Sequence, residues 1–430
     1  MSAININFPN GKVNQEYSIE LKSVAEQFGI AELNFEGLED LGLQYDEDEQ
    51  QITGVPSLAG DHQIVMKYQL KDKQDGQPEF LSKEITLIIN PDPKELWKKS
   101  IPTPENIAYY KPDSNKEFVK VETKITKKML GLKQTKEARK DLVAASQRGR
   151  SHAIEGKPRD DDFALFFDEA SEWYVMTVAD GAGSAKYSRK GSEIACQTVI
   201  EVCKEQIAAK RAILEKAIRV LSKEQTQENR NAVGKTLYEI VGGAAFKAYK
   251  NIDAEVSKRA GENEQEAVAI KDYSTTLLIA ICKKFDFGWF IGGFWVGDGG
   301  MGIYRKEPEY LKILGEPDGG EYAGQTRFLT MSEIMQAEEI YRRVRFDIVP
   351  DFTALILMTD GITDPKFETD ANLNRIEKWH QLWRDLEGEN EDRLKVDFTD
   401  DNEQAADQLL QWLDFWSKGN HDDRTIAILF

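Results

Sequence analysis

Apolar and mostly polar residues alternate along the first ninety positions of the chain. Tyr17, Ile19 and Leu21 follow this pattern, as do Ile64, Met66, Tyr68 and Leu70, and then Ile85, Leu87 and Ile89. A period of two puts one face of a strand in a core and the other in water, so residues 1–90 are expected to be β. The acidic run Asp46–Glu49 lacks the spaced ligands and glycine of a calcium loop and is expected to be a solvated turn. Pro91, Pro102, Pro104 and Pro112 interrupt regular structure. This makes 91–135 a linker, packed on one side through Trp97 and Tyr109–Tyr110. The basic stretch Lys124–Arg150 is helix-friendly and is expected to lead into a second domain over 136–430.

After Ser151 the pattern changes. Phe163–Phe167, Trp173–Ala179, Ser274–Cys282, Gly288–Val296 and Thr353–Thr359 are short apolar runs of the kind that form buried strands. Met301–Arg305 and Thr425–Phe430 read as strands too. Between them, apolar residues recur at helical spacing. Ala195, Val199, Cys203 and Ile207 mark a helix over Gly191–Ile207, and Val233, Leu237, Ile240 and Ala244 mark one over Asn231–Tyr249. Ala406, Leu409, Leu413 and Trp416 mark a third, Glu403–Trp416. Blocks of strands and blocks of helices, without strict alternation, predict an α+β fold.

Composition narrows the partners. Asp and Glu number 75 against 56 Lys and Arg, a formal net charge of -19. Such a chain repels nucleic acid and anionic membranes, and a protein or a small charged substrate suits it better. Cys196, Cys203 and Cys282 give neither a disulfide framework nor a zinc pattern. The start of the chain lacks a basic and apolar leader, and no apolar run is long enough to span a bilayer, so a cytoplasmic location is expected.

The candidate chemistry lies in aspartates at the edges of the apolar runs. Asp160 and Asp161 precede Phe163–Phe167, Asp180 follows Trp173–Ala179, and Asp298 follows Gly288–Val296. Asp360 follows Thr353–Thr359, and Asp422 and Asp423 precede the last strand. Strand ends can bring such groups into one cleft, and neighbouring glycines allow close approach. Converging carboxylates cannot all stay ionised without a counter-charge, and Mg²⁺ or Mn²⁺ is the natural one for oxygen ligands.

These segments resemble the type 2C metal-dependent serine/threonine protein phosphatases, in order, from about Ser151 to Phe430. The resemblance is carried by Gly156-Lys-Pro-Arg-Asp-Asp-Asp-Phe163, Val178-Ala-Asp-Gly-Ala-Gly183, Asp272-Tyr-Ser-Thr-Thr-Leu277, Val296-Gly-Asp-Gly299, Met358-Thr-Asp-Gly-Ile-Thr363 and His421-Asp-Asp-Arg-Thr425. Ser151-His152 and Gly319–Phe328 are similar to a bacterial subgroup. The resemblance implies two stacked, mostly antiparallel β-sheets flanked by helices, with a two-metal centre at one end. Asp180 would bridge two Mn²⁺ or Mg²⁺ ions, with the Gly181 carbonyl on one and Asp360 and Asp422 on the other. Asp160 and Asp161 would hold metal-bound waters; a register one residue later, on Asp161 and Asp162, is the alternative. Asp298 matches the aspartate of a weaker third ion. Asp161, Asp180, Asp360 and Asp422 are therefore the expected catalytic set. A hydroxide bridging the metals would attack phosphoserine or phosphothreonine of a protein substrate. A cognate Ser/Thr kinase is implied by family analogy. Separately, Gly37–Leu43 and Ile52–Gly60 resemble the core of bacterial immunoglobulin-like (cadherin-like) domains, which implies a small all-β sandwich over 1–90.

Two positions depart from the phosphatase pattern. Ala182 stands where many members carry a histidine that serves as general acid, a loss worth ~10²–10⁴-fold if nothing replaces it. Gly156 stands where the family carries its phosphate-binding arginine, leaving His152, Lys157 and Arg159 as substitutes. These departures motivate an alternative, a catalytically inactive phosphatase fold that binds a partner or serves as a scaffold. Retention of Asp180, Asp360 and Asp422 argues against it.

Overall fold

The alternation of the first ninety residues forms two sheets. The structure, a computed structural model, describes all residues except 1–7, 72–79, 92–96, 123, 127–134, 138, 263–266, 316, 319–325, 401 and 420. Most of the Gly319–Phe328 segment therefore lies outside the described residues. The chain divides into two units, Met1–Lys99 and Ser100–Phe430.

In the first unit, β1 (Gly11–Lys12), β7 (Leu81–Asn90), β6 (Gly60–Leu70) and β3 (Ile30–Glu36) form one sheet in that order. Strands β2 (Tyr17–Glu20), β5 (Gln51–Gly54) and β4 (Leu43–Asp46) form another. Leu43 and Ile52 of the small sheet join Ile64, Met66 and Leu87 of the large one in a single core. The unit is not wholly β, since Lys22–Gln27 forms a short helix, α1, that buries Ala25.

In the second unit, the five-stranded sheet runs β12 (Asp162–Asp168), β13 (Trp173–Ala179), β14 (Leu277–Phe285), β15 (Gly288–Val296) and β18 (Val344–Val349). The six-stranded sheet runs β17 (Tyr310–Gly315), β16 (Gly300–Arg305), β19 (Ala354–Met358), β20 (Arg424–Leu429), β11 (Leu142–Gln147) and β8 (Ser114–Val119). Every pairing in these two sheets is antiparallel. A short pair, β9 (Lys124–Thr126) with β10 (Thr135–Glu137), stands apart.

The apolar runs are continuous because these strands are buried on both faces. Tyr174, Met176 and Val178 of β13 face the core between the sheets, with Leu355 and Leu357 of β19 and Ala427 and Leu429 of β20. Val175 and Ala179 point the other way, onto α3 (Ser188–Lys223), α4 (Gln227–Leu237) and α5 (Gly243–Glu262). Ile356 and Met358 of β19, with Ile426 and Ile428 of β20, pack under α7 (Asp360–Phe367), α8 (Ile376–Leu386) and α9 (Ala405–Trp412). The short helices α2 (Arg150–Glu155) and α6 (Ala337–Arg342) complete the set named here. This is the expected α+β architecture of two stacked sheets between helical layers. No helix among the described residues is long and apolar enough to cross a membrane.

Three expectations are corrected. Residues 91–135, read as a linker, include β8, an edge strand paired along its length with β11. The prolines end before it and do not exclude it. Among the described residues of Lys124–Arg150, Lys124–Thr126 and Thr135–Glu137 are strands and Leu142–Gln147 is a buried strand bonded on both sides, so tertiary pairing overrides the helix-friendly composition there. The helix over Asn231–Tyr249 is interrupted by a π-turn at Tyr238–Gly242, next to the Gly242–Gly243 pair.

Candidate metal centre

The six aspartates of the expected metal site sit at one end of the two sheets, because the strands that carry them end there. Asp180 follows β13, and its backbone is pinned. Its N–H donates to Thr276 Oγ1 at 2.9 Å, while its carbonyl accepts from the Thr276 N–H at 2.8 Å and Thr275 Oγ1 at 2.9 Å. Asp360 opens α7, and Asp298 follows β15 through Gly297, whose φ of 112° favours glycine. Asp180, Asp298 and Asp360 offer carboxylate oxygens that all lie within 4.8 Å of one another. His152, Asp422 and Asp423 form a second such group.

The acidic pair beside them is held from behind. The Asp160 N–H donates to Asp423 Oδ2 at 2.5 Å, and its carbonyl accepts from Ser192 Oγ at 2.5 Å. Asp161 Oδ2 accepts from Thr359 Oγ1 at 2.9 Å and Thr425 Oγ1 at 2.7 Å. Gly181 lies so close to this pair that a Cβ there would come within 2.6 Å of the Asp160 carbonyl oxygen. Its value is close approach, since a larger residue would push the Asp180 loop off the acidic pair.

These bonds leave specific atoms over. Asp160 Oδ1, Asp161 Oδ1, Asp298 Oδ1 and Asp360 Oδ1 are buried without a hydrogen-bond partner. Burial, and then the Asp423 charge, push Asp160 up to about 6 and Asp161 up to about 7. Burial and the Asp360 charge, with Asp161, Asp422 and Asp298, push Asp180 far above the carboxylate range. Asp360 is driven up likewise by burial, Asp298 and Asp422. Burial is also the main cause of the rise at Asp298 and Asp422. A divalent cation would supply the missing partner and the missing charge together, and hard oxygen donors suit Mg²⁺ or Mn²⁺.

Asp423 is the exception. Burial opposes its ionisation, yet His152 and the amides of Gly149 and Asp160 hold it below its usual range. Oδ1 accepts from the Gly149 N–H at 2.6 Å and lies 3.1 Å from His152 Nδ1, an ion contact poorly aligned for a hydrogen bond. For His152 burial works downward, but the charges of Asp423, Asp160 and Asp422 prevail and hold it up to about 9. Asp423 stands with Asp422 at the edge of the last strand in the sequence, but its supporting role was not foreseen.

Of the expected phosphate-binding substitutes, Arg159 is turned inward. It is 2 % exposed, and its guanidinium donates to Ser146 Oγ at 2.5 Å and the Asp161 carbonyl at 2.8 Å. Those bonds occupy it, so the reading of Arg159 as a phosphate ligand is corrected to a buried support. Lys157 is half-exposed and pairs with Glu155 at 2.5 Å. It lines a cavity of about 440 Å³ together with Asp160, Gly183, Lys186 and Arg189. His152 Nε2 lies 3.7 Å from where a Cβ on Gly183 would stand, beside the loop that carries Asp180. Arg189 was not foreseen. Its Nη1 lies 3.7 Å from Asp160 Oδ1, and no spacing in the sequence marks it.

These shifts set a pH dependence. Between its ordinary pKa of 3.8 and its folded value near 6 or 7, such a carboxyl is protonated when folded and ionised when unfolded. Stability therefore falls as pH rises through that window and levels off above it. His152 acts in the same direction, since its contribution is complete below 6.5 and is lost as pH rises through about 9. Metal-free protein should melt at a lower temperature at about pH 8 than at about pH 5.5, and Mn²⁺ should raise the melting temperature strongly only at the higher pH. Scanning fluorimetry with and without Mn²⁺ measures this; an equal response at both values would contradict the charge assignment.

With the geometry in hand, the chain can be compared with known proteins. A family model described as Protein phosphatase 2C matches residues 148–414. Among solved structures, a bacterial serine phosphatase is 14% identical, covering 67% of this chain and 96% of that one, with a TM-score of 0.36. The serine/threonine phosphatase Stp1 from Staphylococcus aureus is 15% identical, with coverage of 67% and 93% and a TM-score of 0.37. The catalytic domain of the serine/threonine protein phosphatase PstP, in complex with two manganese ions, is also 15% identical, with coverage of 67% and 96% and a TM-score of 0.33. No curated protein matches the sequence.

Proposed function

This chain belongs to the protein phosphatase 2C family, and from that premise we propose that it is an active, metal-dependent hydrolase of phosphoserine and phosphothreonine in proteins. The observation that carries the proposal is the set of four buried carboxylate oxygens without partners around Asp180. Unpaired buried carboxylates are costly, which supports a site kept for divalent ions. Asp180, Asp298, Asp360 and Asp422 would hold Mn²⁺ or Mg²⁺ ions, with Asp160 and Asp161 orienting water at the same site. Divalent ions there would lower the pKa of water enough to supply hydroxide near neutral pH and would neutralise charge on the phosphoryl group.

The chain's own side chains would do the rest. Asp161 is fixed by two threonine hydroxyls, so its free Oδ1 can orient a water without reorganisation. Lys157 and Arg189, which line the cavity beside Asp160, would face the phosphoryl oxygens, with His152, kept charged by Asp423, beside the Gly183 loop. Substrates would be products of a protein Ser/Thr kinase, since only such products carry the bond to be cleaved.

Ala182 favours the second reading, a partner-binding protein without turnover, because no imidazole occupies that position. Phosphate release from a phosphothreonine peptide separates the two. Turnover with Mn²⁺ that EDTA abolishes is expected. Folded protein that binds Mn²⁺ by calorimetry but releases no phosphate would move the assignment to the second reading. Absence of Mn²⁺ binding would overturn the metal centre itself.

A further inference from the structure

We propose that residues 100–113, which lie outside the segment matched by the family, are a strap that sets the geometry of the acidic pair, with Lys111 as its positioning residue. The inference rests on the metal-centre reading above.

Lys111 is only 5 % exposed, and its ammonium reaches three acceptors. Nζ lies 2.8 Å from Asp162 Oδ2, and it donates to the Asp161 carbonyl at 3.1 Å and to Ser192 Oγ at 3.1 Å. Three acceptors match the three N–H bonds of a lysine ammonium. Ser192 Oγ in turn donates to the Asp160 carbonyl. The next strap residue contributes as well, because the Pro112 carbonyl accepts from Arg159 Nε at 3.3 Å, and Arg159 Nη1 donates to the Asp161 carbonyl. The carbonyls of Asp160 and Asp161 are thus both held from the strap side, while each Oδ1 is left without a partner.

The strap is tied down along its length. The Ile101 N–H donates to the Ala153 carbonyl at 2.8 Å, and Arg148 donates to Thr103 Oγ1 at 2.6 Å. Arg189 donates to the Ala108 carbonyl at 2.6 Å. The Tyr109 hydroxyl bonds Glu255 Oε1 at 2.9 Å and meets the Tyr273 hydroxyl at 3.1 Å.

Stability alone does not explain Lys111. Desolvation, the largest influence on it, lowers its pKa against the pull of Asp162. A buried ion pair of this kind stabilises no better than apolar residues of similar volume, so what it adds is specificity of position. The strap therefore aims the two carboxylates, and its loss should be read in metal binding as well as in folding.

The test is Mn²⁺ calorimetry on the full chain and on Lys111→Met, Ser192→Ala and Lys283→Met, with a melting curve for each. Lys283 is the control. Its ammonium is likewise held by the Ser171 carbonyl and Glu215, but at the end of β14 away from Asp180. Lys111→Met should bind Mn²⁺ about 10–100-fold more weakly and Ser192→Ala should move the same way, the size expected for supports of a metal ligand. Lys283→Met should keep wild-type affinity even if it melts lower. Wild-type affinity in both site variants would overturn the inference, as would affinity that follows melting temperature across all three. If Lys111→Met does not fold, Ser192→Ala decides alone. Failure of the unmodified chain to bind Mn²⁺ would remove the metal centre and the strap's role with it.

Discussion

Asp180→Asn is expected to reduce metal-dependent phosphate release by about 10³-fold or more, the scale of removing a principal electrostatic element from an active site. The loop should survive the change. What pins Asp180 is its backbone, through Thr275 and Thr276, and the side chain takes no part in those bonds. The charge lost is the one that Asp360, Asp161, Asp422 and Asp298 all act upon. Removing it relieves the mutual repulsion of the cluster, so the metal-free variant should melt higher than the metal-free parent at about pH 8. Loss of turnover with a gain in stability is the signature of a carboxylate kept for function. It is measured by phosphate release beside melting curves in EDTA. A variant that keeps more than a tenth of the activity would remove Asp180 from the proposed centre.

Asp423→Asn is expected to have the opposite character, with a loss of about 3–5 kcal/mol from the second unit, as for breaking a buried ion pair. Both carboxylate oxygens accept from backbone N–H groups, Oδ1 from Gly149 and Oδ2 from Asp160. An asparagine must turn its NH₂ toward one of them, so a donor would meet a donor. The charged His152 would also lose its nearest counter-ion. Urea unfolding followed by tryptophan fluorescence reads this unit, since seven of the eight tryptophans lie beyond residue 100. A change below about 1 kcal/mol would show that Asp423 is not the support described.

The two aspartates show what could be read before folding. Asp180, Asp298 and Asp360 stood out because each follows an apolar run and adjoins glycine, and all three converge. Asp423 stands at a strand edge too, but it adjoins no glycine and its role could not be told from that of Asp422. Its role depends on the Gly149 and Asp160 amides, which are distant in sequence; Gly149 arrives when β20 pairs with β11, and Asp160 only when β12 of the other sheet packs beside them. Lys111 and Arg189 were unreadable for the same reason, as both side chains act on backbone carbonyls, which every residue possesses. Arg159 was misjudged because a basic residue beside an acidic motif looks alike whether it faces a ligand or the interior.

Periodicity and run length determined, from the sequence alone, that the described part of the first ninety residues is mainly β and that the rest is α+β with strands buried on both faces. These are local properties, set by which side chains must leave water. The motif order likewise placed the acidic residues at strand ends. Tertiary structure decided what long-range pairing controls: that Ser114–Val119 is an edge strand, and that Leu142–Gln147 is a strand between two neighbours. It also decided which carboxylate oxygens are satisfied by the fold and which are left for an ion. A hydrogen bond depends on position in space, and only the packed sheets bring Thr359 and Thr425 onto Asp161 while leaving its other oxygen bare.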